Sequence, residues 1–170
     1  SEPMRLGLIG YDAWGRHHAR ALAAAPSADL AAIATRSTDS VAAAHVDWPR
    51  AHIETDWRAL IDDPSLEAIV IAVPNALHAE VALAALAAGK HVLLEKPMAL
   101  TLRDCDRLIA AARTAGGVLT IGHELRVSRQ WAPIRTLIAE GTIGRLRHAA
   151  VSLFRFPYRH GSAAWRYDRD

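Results

Sequence analysis

Glu95 and Lys96 are the residues of this chain best suited to chemistry, because they follow the apolar run 91–94 directly and precede Pro97. Lys96 is one of only two lysines among 20 lysine and arginine residues. A compact ammonium where arginine is otherwise preferred suggests a specific need for that cation. Next to a reacting hydroxyl or carbonyl oxygen it would donate a hydrogen bond and stabilise developing negative charge. A salt bridge at a strand end explains this stretch equally well.

A second candidate is the loop "GYDAWG", from Gly10 to Gly15, which follows the first apolar run. It keeps the first and third glycines of the dinucleotide-binding pattern G-x-G-x-x-G, where a helix N-terminus holds a pyrophosphate. Asp12 replaces the middle glycine, and a carboxylate about 4 Å from a phosphate would cost about 4 kcal/mol at a dielectric of about 20. Turning outward or pairing with Arg16 would relieve this repulsion. The intervening candidate cofactor contacts are Tyr11, Asp12, Ala13 and Trp14.

The same loop has the spacing of a nucleotide triphosphate P-loop, which is an alternative interpretation. Arg16 stands where that motif has lysine, and His17 stands where it has the serine or threonine that holds Mg²⁺. The substitutions disfavour a triphosphatase.

Cofactor selectivity is indicated by Thr35, Arg36 and Ser37, which follow the second apolar run. An acidic residue here would hold the ribose hydroxyls of NAD. A guanidinium flanked by hydroxyls suits a 2′-phosphate instead. The sequence therefore favours NADP slightly over NAD, against the alternative of an ordinary surface arginine.

Another set, Pro74, Asn75 and His78, follows the continuous apolar run "AIVIAV". Pro74 ends the strand, Asn75 is suited to cap the next helix and present its amide to a ligand, and His78 falls in the first helical turn. By themselves these residues indicate only a capped helix.

These candidates lie at the ends of predicted strands that alternate with helices. Such alternation predicts an α/β fold, a Rossmann doubly wound parallel sheet, over residues 1–122. Ligands of these sheets bind at the carboxyl ends of the strands, where all four sets fall. The predicted strands are 5–9, 29–34, 68–73, 91–94 and 118–121, and the predicted helices are 16–25, 38–46, 57–61, 77–88 and the one that begins at the capping box 101–104.

The pattern changes after Gly122. Residues 130–140 predict a helix closed by Gly141, and residues 145–156 predict a long strand of an antiparallel sheet. We interpret residues 123–170 as the beginning of a second domain that the chain does not complete.

Composition narrows the function classes. The single cysteine, Cys105, excludes a disulfide within the chain, and no apolar run reaches the roughly 18 residues of a membrane span. Without a signal-peptide pattern, the expected location is the cytoplasm. The arginine-rich end after His123 has no helical stripe, so we expect no nucleic-acid partner and no membrane partner. No metal-binding spacing of cysteine or histidine occurs.

Four segments together resemble the Gfo/Idh/MocA oxidoreductases, the glucose-fructose oxidoreductase and inositol dehydrogenase family. They are "GLIGYDAWGRHHARAL", "VPNALHAEVALAALAAGKHVLLEKPMALT", "GHELR" and "LIAEGTIGRLRHA". The resemblance implies a Rossmann domain followed, over residues 123–170 and beyond, by an α/β domain for substrate binding and oligomerisation. It also implies NAD or NADP as cofactor, a polyol or sugar-like substrate and a homo-oligomeric full-length protein. It makes Lys96 the family's EKP lysine, which positions and polarises the substrate.

The resemblance also implies where other residues act. Glu95 would touch the cofactor ribose or the nicotinamide side, Asn75 and His78 would line the cleft, and Arg126 would lie near it. A W-R element close to the nicotinamide amide corresponds to Trp165 and Arg166.

The family's usual acid/base histidine lies in a D-x-x-x-H motif beyond that element, whereas this chain ends at Asp170. We therefore expect the N-terminal part of a longer enzyme, which by itself binds cofactor weakly and catalyses little. The alternative is a non-catalytic regulatory or sensor member that binds NADP. The EKP lysine argues against that alternative, and Asp12 leaves it open.

Overall fold

Strands and helices alternate from Met4 to Ile121 in the computed structural model, which describes residues 2–152 and 154. The strands are β1 (Met4–Ile9), β2 (Ala28–Ala34), β3 (His52–Glu54), β4 (Ala68–Ile71), β5 (His91–Leu94) and β6 (Leu119–Ile121). The helices between them are α1 (Ala13–Ala24), α2 (Thr38–Asp47), α3 (Trp57–Asp62), α4 (His78–Ala87) and α5 (Leu102–Thr114).

All five strand pairings are parallel, and they join the strands into one sheet in the order β3-β2-β1-β4-β5-β6. This is the strand order of the Rossmann fold, so the predicted fold class is confirmed. The order reverses between β1 and β4, where Leu8 pairs with Val70. In such sheets the ligand crevice opens beside this reversal, at the carboxyl ends of the strands.

Both faces of the sheet are covered, which explains why β4 reads as a continuous apolar run. Alternate residues of β4 enter two separate cores: Ile69 and Ile71 pack with α3, α4 and α5, whereas Ala68 and Val70 pack with α1 and α2. The helices approach closely through alanines such as Ala19 and Ala85, both fully buried.

Local signals fix several helix ends. The Thr101 Oγ1 accepts a hydrogen bond from the Asp104 N–H at 3.1 Å, so the predicted capping box begins α5. Gly89 has φ +75°, which is the left-handed conformation that glycine supplies after a helix. The signal at Asn75 was misread: residues Asn75–Leu77 form a 3₁₀ turn, and the Asn75 side chain does not cap α4.

Two further predictions about the sheet need correction. The strand β3 was missed because three residues carry too little periodicity to separate them from a turn. The strand predicted over 68–73 ends at Ile71, because Ala72 and Val73 already turn toward Pro74.

The chain divides into two compact units, Ser1–Gly122 and His123–Asp170. The following features belong to the second unit. Its helix α6 (Trp131–Ala139) is followed by Gly141 at φ +70°. The strand predicted over 145–156 is absent from the described part of that segment, residues 145–152 and 154. A strand needs a hydrogen-bonded neighbour, and the described residues after Gly122 supply none. Across the described part of the chain, no helix has the length and apolar character needed to cross a membrane.

Candidate functional site

The loop between β1 and α1 requires glycine at two positions. Gly10 has φ +97°, and a Cβ there would run into the carbonyl oxygen of Ala72 at the end of β4. A Cβ on Gly15 would strike the carbonyl oxygen of Gly10. Glycine at these positions lets the turn approach the end of β4 and lets α1 pack on the turn, and the turn with the first N–H groups of α1 forms a backbone cradle. This cradle fits the pyrophosphate of a dinucleotide.

Asp12 lies at the N-cap of α1 in an extended conformation, and its side chain makes no capping hydrogen bond. The carboxylate turns outward instead, and its Oδ1 accepts a hydrogen bond from the Ser40 hydroxyl at 3.0 Å. The pairing considered with Arg16 does not form, because Arg16 reaches Asp47 at 3.6 Å. The contact with α2 holds the Asp12 charge to one side of the cradle.

The Tyr11 side chain lies in the core beneath the loop and is only 2% exposed. Its hydroxyl donates to Asp47 at 2.8 Å and accepts from the Trp48 indole at 2.6 Å. Burial raises the pKa of the Tyr11 phenol, and the hydrogen bond to Asp47 acts in the same direction. Tyr11 therefore offers a ligand its backbone alone, whereas Ala13 and Trp14 are exposed at the start of α1.

At the end of β2, the three predicted selectivity residues differ in exposure. Thr35 is buried, and its N–H donates to the Glu54 carbonyl oxygen at 2.9 Å. Ser37 is the N-cap of α2 and accepts from the Ser40 N–H at 3.1 Å. Arg36 is exposed, and within the described residues 2–122 its guanidinium has no ion-pair partner. Of these three residues, only Arg36 presents an unpaired charge within residues 2–122.

The three predicted contacts after β4 differ in exposure, although the sequence predicted that both Asn75 and His78 line the cleft. Pro74 and Asn75 are half-buried at the end of β4, and the Asn75 amide is unengaged within residues 2–122. His78 is 1% exposed, with Nδ1 2.6 Å from the Pro97 carbonyl oxygen and Nε2 3.0 Å from that of Val73. His78 thus links the backbone that follows β4 to the backbone that follows β5, and its ring is not accessible to solvent.

Glu95 and Lys96 follow β5, and their side chains differ in exposure and in the contacts they make. The Glu95 carboxylate is buried: Oε1 lies 2.8 Å from the His18 Nε2, and Oε2 accepts from the Lys96 N–H at 3.1 Å. The Lys96 side chain is exposed, and its ammonium lies 5.5 Å from the centre of the Trp14 ring. Within residues 2–122 that ammonium makes no hydrogen bond or ion pair. It is available to a ligand.

The remaining predicted contacts belong to the second unit. Arg126 is exposed in the short 3₁₀ segment Glu124–Val127. Trp165 and Arg166 lie outside the described residues.

Two residues of this region were missed by sequence reasoning, His18 and Ser40. His18 comes four residues after Trp14, so the two side chains share a face of α1, and that spacing was the available signal. Ser40 had no comparable signal, because its partner Asp12 is 28 residues away.

The edge as a whole combines a backbone cradle, two unpaired cations and one unengaged amide. It offers N–H groups and positive charge to phosphates, and an ammonium to an oxygen of a bound molecule. The described residues contain no group of three or more metal-ligating side chains.

Comparison with known proteins identifies the family of the chain. The profile of a family described as "Oxidoreductase family, NAD-binding Rossmann fold" matches residues 4–123. The 1,5-anhydro-D-fructose reductase of Ensifer adhaerens is 36% identical over 167 residues, which are 97% of this chain and 49% of that protein. The NADP⁺-dependent scyllo-inositol 2-dehydrogenase IolW of Bacillus subtilis is 30% identical over 156 residues, covering 91% of this chain and 43% of that protein.

Among solved structures, a mutant 3-ketoreductase from Actinomadura kijaniata in complex with TDP-benzene and NADP superposes with a TM-score of 0.76. It is 31% identical, and the match covers 86% of this chain and 46% of that one. The chain spans about half the length of the curated relatives it matches.

Proposed function

The chain belongs to the Gfo/Idh/MocA oxidoreductase family with its NAD-binding Rossmann fold, and on that premise we propose that it is the cofactor-binding part of an NAD(P)-dependent dehydrogenase. The substrate is a sugar, cyclitol or related polyol, at which a secondary alcohol and a carbonyl are interconverted. The relatives named above act on molecules of this kind by their names.

The observation that carries the proposal is the Lys96 ammonium, which stands exposed at the carboxyl edge of the sheet with no hydrogen bond or ion pair within residues 2–122. A cation so placed has no role in holding the fold together. Its Coulomb interaction is available to an oxygen that gains negative charge during a reaction.

In this proposal the cradle of Gly10 and Gly15 and the N-terminus of α1 hold the pyrophosphate, while Asn75 contributes its amide at the neighbouring strand end. The bound nicotinamide accepts or supplies the hydride. The Lys96 ammonium donates a hydrogen bond to the substrate oxygen, orients it, and stabilises the negative charge that develops there.

The cofactor we propose is NADP in preference to NAD, because the exposed Arg36 guanidinium at the start of α2 suits a 2′-phosphate. The Asp12 carboxylate is turned toward Ser40 on the same helix, so it opposes the 2′-phosphate and reduces this preference. The net selectivity is the balance of these two charges.

A titration of the 170-residue chain with NADPH and with NADH, followed by tryptophan fluorescence, tests the cofactor proposal. We expect saturable quenching, and tighter binding of NADPH. The Gly10→Ala variant should lose the saturable quenching, because a Cβ collides with the Ala72 carbonyl oxygen. Absence of saturation in a folded native chain, shown by its circular dichroism, would contradict the proposal.

Turnover separates an enzyme from a sensor. In the catalytically active protein, NADPH should be consumed with a keto sugar and NADP⁺ reduced with a polyol. Tight NADPH binding without turnover of any polyol would favour a regulatory member of the family. We also expect a homo-oligomer, which size-exclusion chromatography with light scattering measures.

A further inference from the structure

We propose that His18 on α1 is a positioning residue that clamps the Glu95 carboxylate and thereby fixes the backbone from which Lys96 reaches the substrate. The inference rests on the proposed function, since it concerns the placement of the proposed catalytic amine. His18 lies in the segment "GLIGYDAWGRHHARAL", but no motif of that segment assigned it a role.

The first observation is the contact itself. His18 Nε2 lies 2.8 Å from Glu95 Oε1, between side chains that are 21% and 11% exposed. Both side chains are mostly removed from solvent, so water competes less for this hydrogen bond than for an exposed one. The second carboxylate oxygen, Oε2, accepts from the Lys96 N–H at 3.1 Å. One carboxylate therefore joins α1 to the first backbone atom of the catalytic residue.

The second observation is the space around Glu95. A Cβ built on Gly122, just after β6, would lie 3.0 Å from Glu95 Oε1 and 3.4 Å from Oε2. The carboxylate thus packs directly over the Gly122 backbone and cannot move in that direction. With His18 on one side and the Lys96 N–H on another, its position is set from three directions.

The third observation is that α1 also meets the far end of the Lys96 side chain. Trp14 and His18 are four residues apart, so they lie on one face of the helix. The Trp14 ring lies 5.5 Å below the Lys96 ammonium, within the range of a cation–π interaction. The helix that opens the phosphate cradle therefore controls both ends of Lys96, through His18 and Glu95 at the backbone and through Trp14 at the amine.

The chain contains a matched control for this pair. His52 and Glu54 also form a histidine–glutamate contact, at 2.6 Å, but the His52 side chain is 72% exposed and lies on the short edge strand β3. Contacts open to solvent contribute little to the ordering of their surroundings. Substitutions of His52 therefore report what the loss of such a contact does by itself.

Amide hydrogen exchange of Lys96 measures the clamp without any cofactor. In His18→Phe we expect the Lys96 amide to exchange about tenfold faster or more, as the loss of one charge-assisted hydrogen bond implies. The Lys90 amide, bonded to the Ala85 carbonyl oxygen, is the internal reference and should change less than about twofold. His18→Gln, which keeps a donor, should restore most of the protection, and His52→Phe should leave Lys96 unchanged.

Reactivity of the amine gives a second readout. Reductive methylation of Lys96 should become faster in His18→Phe, because the side chain is no longer held over Trp14. If His18→Phe fails to fold, Glu95→Gln and Gly122→Ala test the same clamp. In Gly122→Ala the added Cβ should displace the Glu95 carboxylate from its present position. Lys96 exchange and labelling within twofold of the native chain in these variants, or equal acceleration at Lys90, would overturn the proposal.

The same samples separate this inference from the proposed function. If the native chain does not bind NADPH while His18→Phe accelerates Lys96 exchange, the cofactor proposal fails and the clamp stands. If NADPH binds the native chain and His18→Phe leaves Lys96 exchange unchanged, the clamp fails and the cofactor proposal stands.

Discussion

The two lysines of this chain lie at opposite ends of β5 and do opposite things. Lys90, just before the strand, is 7% exposed, and its ammonium donates to the carbonyl oxygens of Asp63 at 2.6 Å and Leu66 at 2.8 Å. Lys96, just after the strand, is exposed, and within residues 2–122 its ammonium has no hydrogen-bond partner. One amine holds a loop of the fold, whereas the other is available to a ligand.

The difference teaches how rarity of a residue type should be interpreted. An arginine-rich chain that keeps two lysines needs a compact ammonium twice, for two reasons. At the amino edge of the sheet the Lys90 ammonium donates to two carbonyl oxygens of one loop. At the carboxyl edge the ammonium is a point charge that can approach a reacting oxygen. The predictions below test this division between a structural edge, the amino edge at Lys90, and a chemical edge, the carboxyl edge at Lys96.

The largest effect is expected at the chemical edge. In the catalytically active protein, Lys96→Met should lower kcat by about 10²–10⁴-fold, the range for loss of a positioned proton-handling group. The midpoint of thermal unfolding should stay close to that of the native chain, since the amine contacts only the Trp14 ring among residues 2–122. Steady-state kinetics and a melting curve measure the two quantities. A stable variant with native kcat would remove Lys96 from the mechanism.

The mirror-image substitution, Lys90→Met, should act on stability. It removes the ammonium from the buried carbonyl oxygen of Leu66 and leaves that of Asp63 with only the 3.3 Å hydrogen bond from the Leu66 N–H, so the free energy of unfolding should fall by about 1–3 kcal/mol. Denaturant unfolding measures this loss, and NADPH affinity of the folded variant should be unchanged. If Lys90→Met were as stable as the native chain and bound NADPH more weakly, the division between the two edges would be wrong.

A smaller effect is expected within the chemical edge. Arg36→Ala should weaken NADPH binding by about tenfold through loss of one charge-assisted contact to the 2′-phosphate, and should leave NADH binding nearly unchanged. Titration by tryptophan fluorescence gives both affinities. The matched control is Arg20→Ala, an exposed arginine further along α1. Equal weakening of the two cofactors would show that Arg36 does not recognise the 2′-phosphate.

The smallest effect concerns Tyr11, which lies beneath the cradle but whose side chain stabilises the core and offers nothing to a ligand. Tyr11→Phe should lower the free energy of unfolding by about 1 kcal/mol at neutral pH, because Trp48 and Asp47 lose their partner. Burial raises the pKa of Tyr11, so the folded chain holds the phenolic proton more tightly than the unfolded chain. The stabilisation is complete below the ordinary pKa of 10.0 and is lost as the pH rises through the raised value.

Denaturant unfolding at neutral and alkaline pH tests this sign. The gap between the native chain and Tyr11→Phe should narrow above pH 10.0. A gap that widens with pH would contradict the direction of the Tyr11 pKa.

Much of the frame could be predicted from local sequence. The Thr101 cap and the contact of Gly15 with Gly10 act between residues close in the chain, so their signals are local. The parallel sheet followed from the alternation of strands and helices, and the carboxyl edge followed from the sheet.

What sequence could not give depends on partners that are distant in the chain. His78 is in the first turn of a helix, where exposure is the simple expectation, yet the Pro97 carbonyl oxygen from 19 residues away buries it. The same holds for Lys90, 24 residues from Leu66, and for His18, 77 residues from Glu95. These contacts exist only after β4 and β5 have taken their places in the sheet.

The central claim is that a nicotinamide dinucleotide binds at the carboxyl edge with the Lys96 amine beside it. Amide NMR spectra of the chain during NADPH titration test this most directly. We predict saturable shifts at Gly10, Gly15, Arg36, Asn75 and Lys96, with the amides around Lys90 unaffected. Shifts concentrated around Lys90 at the amino edge, or saturation without any change at Lys96, would contradict the account.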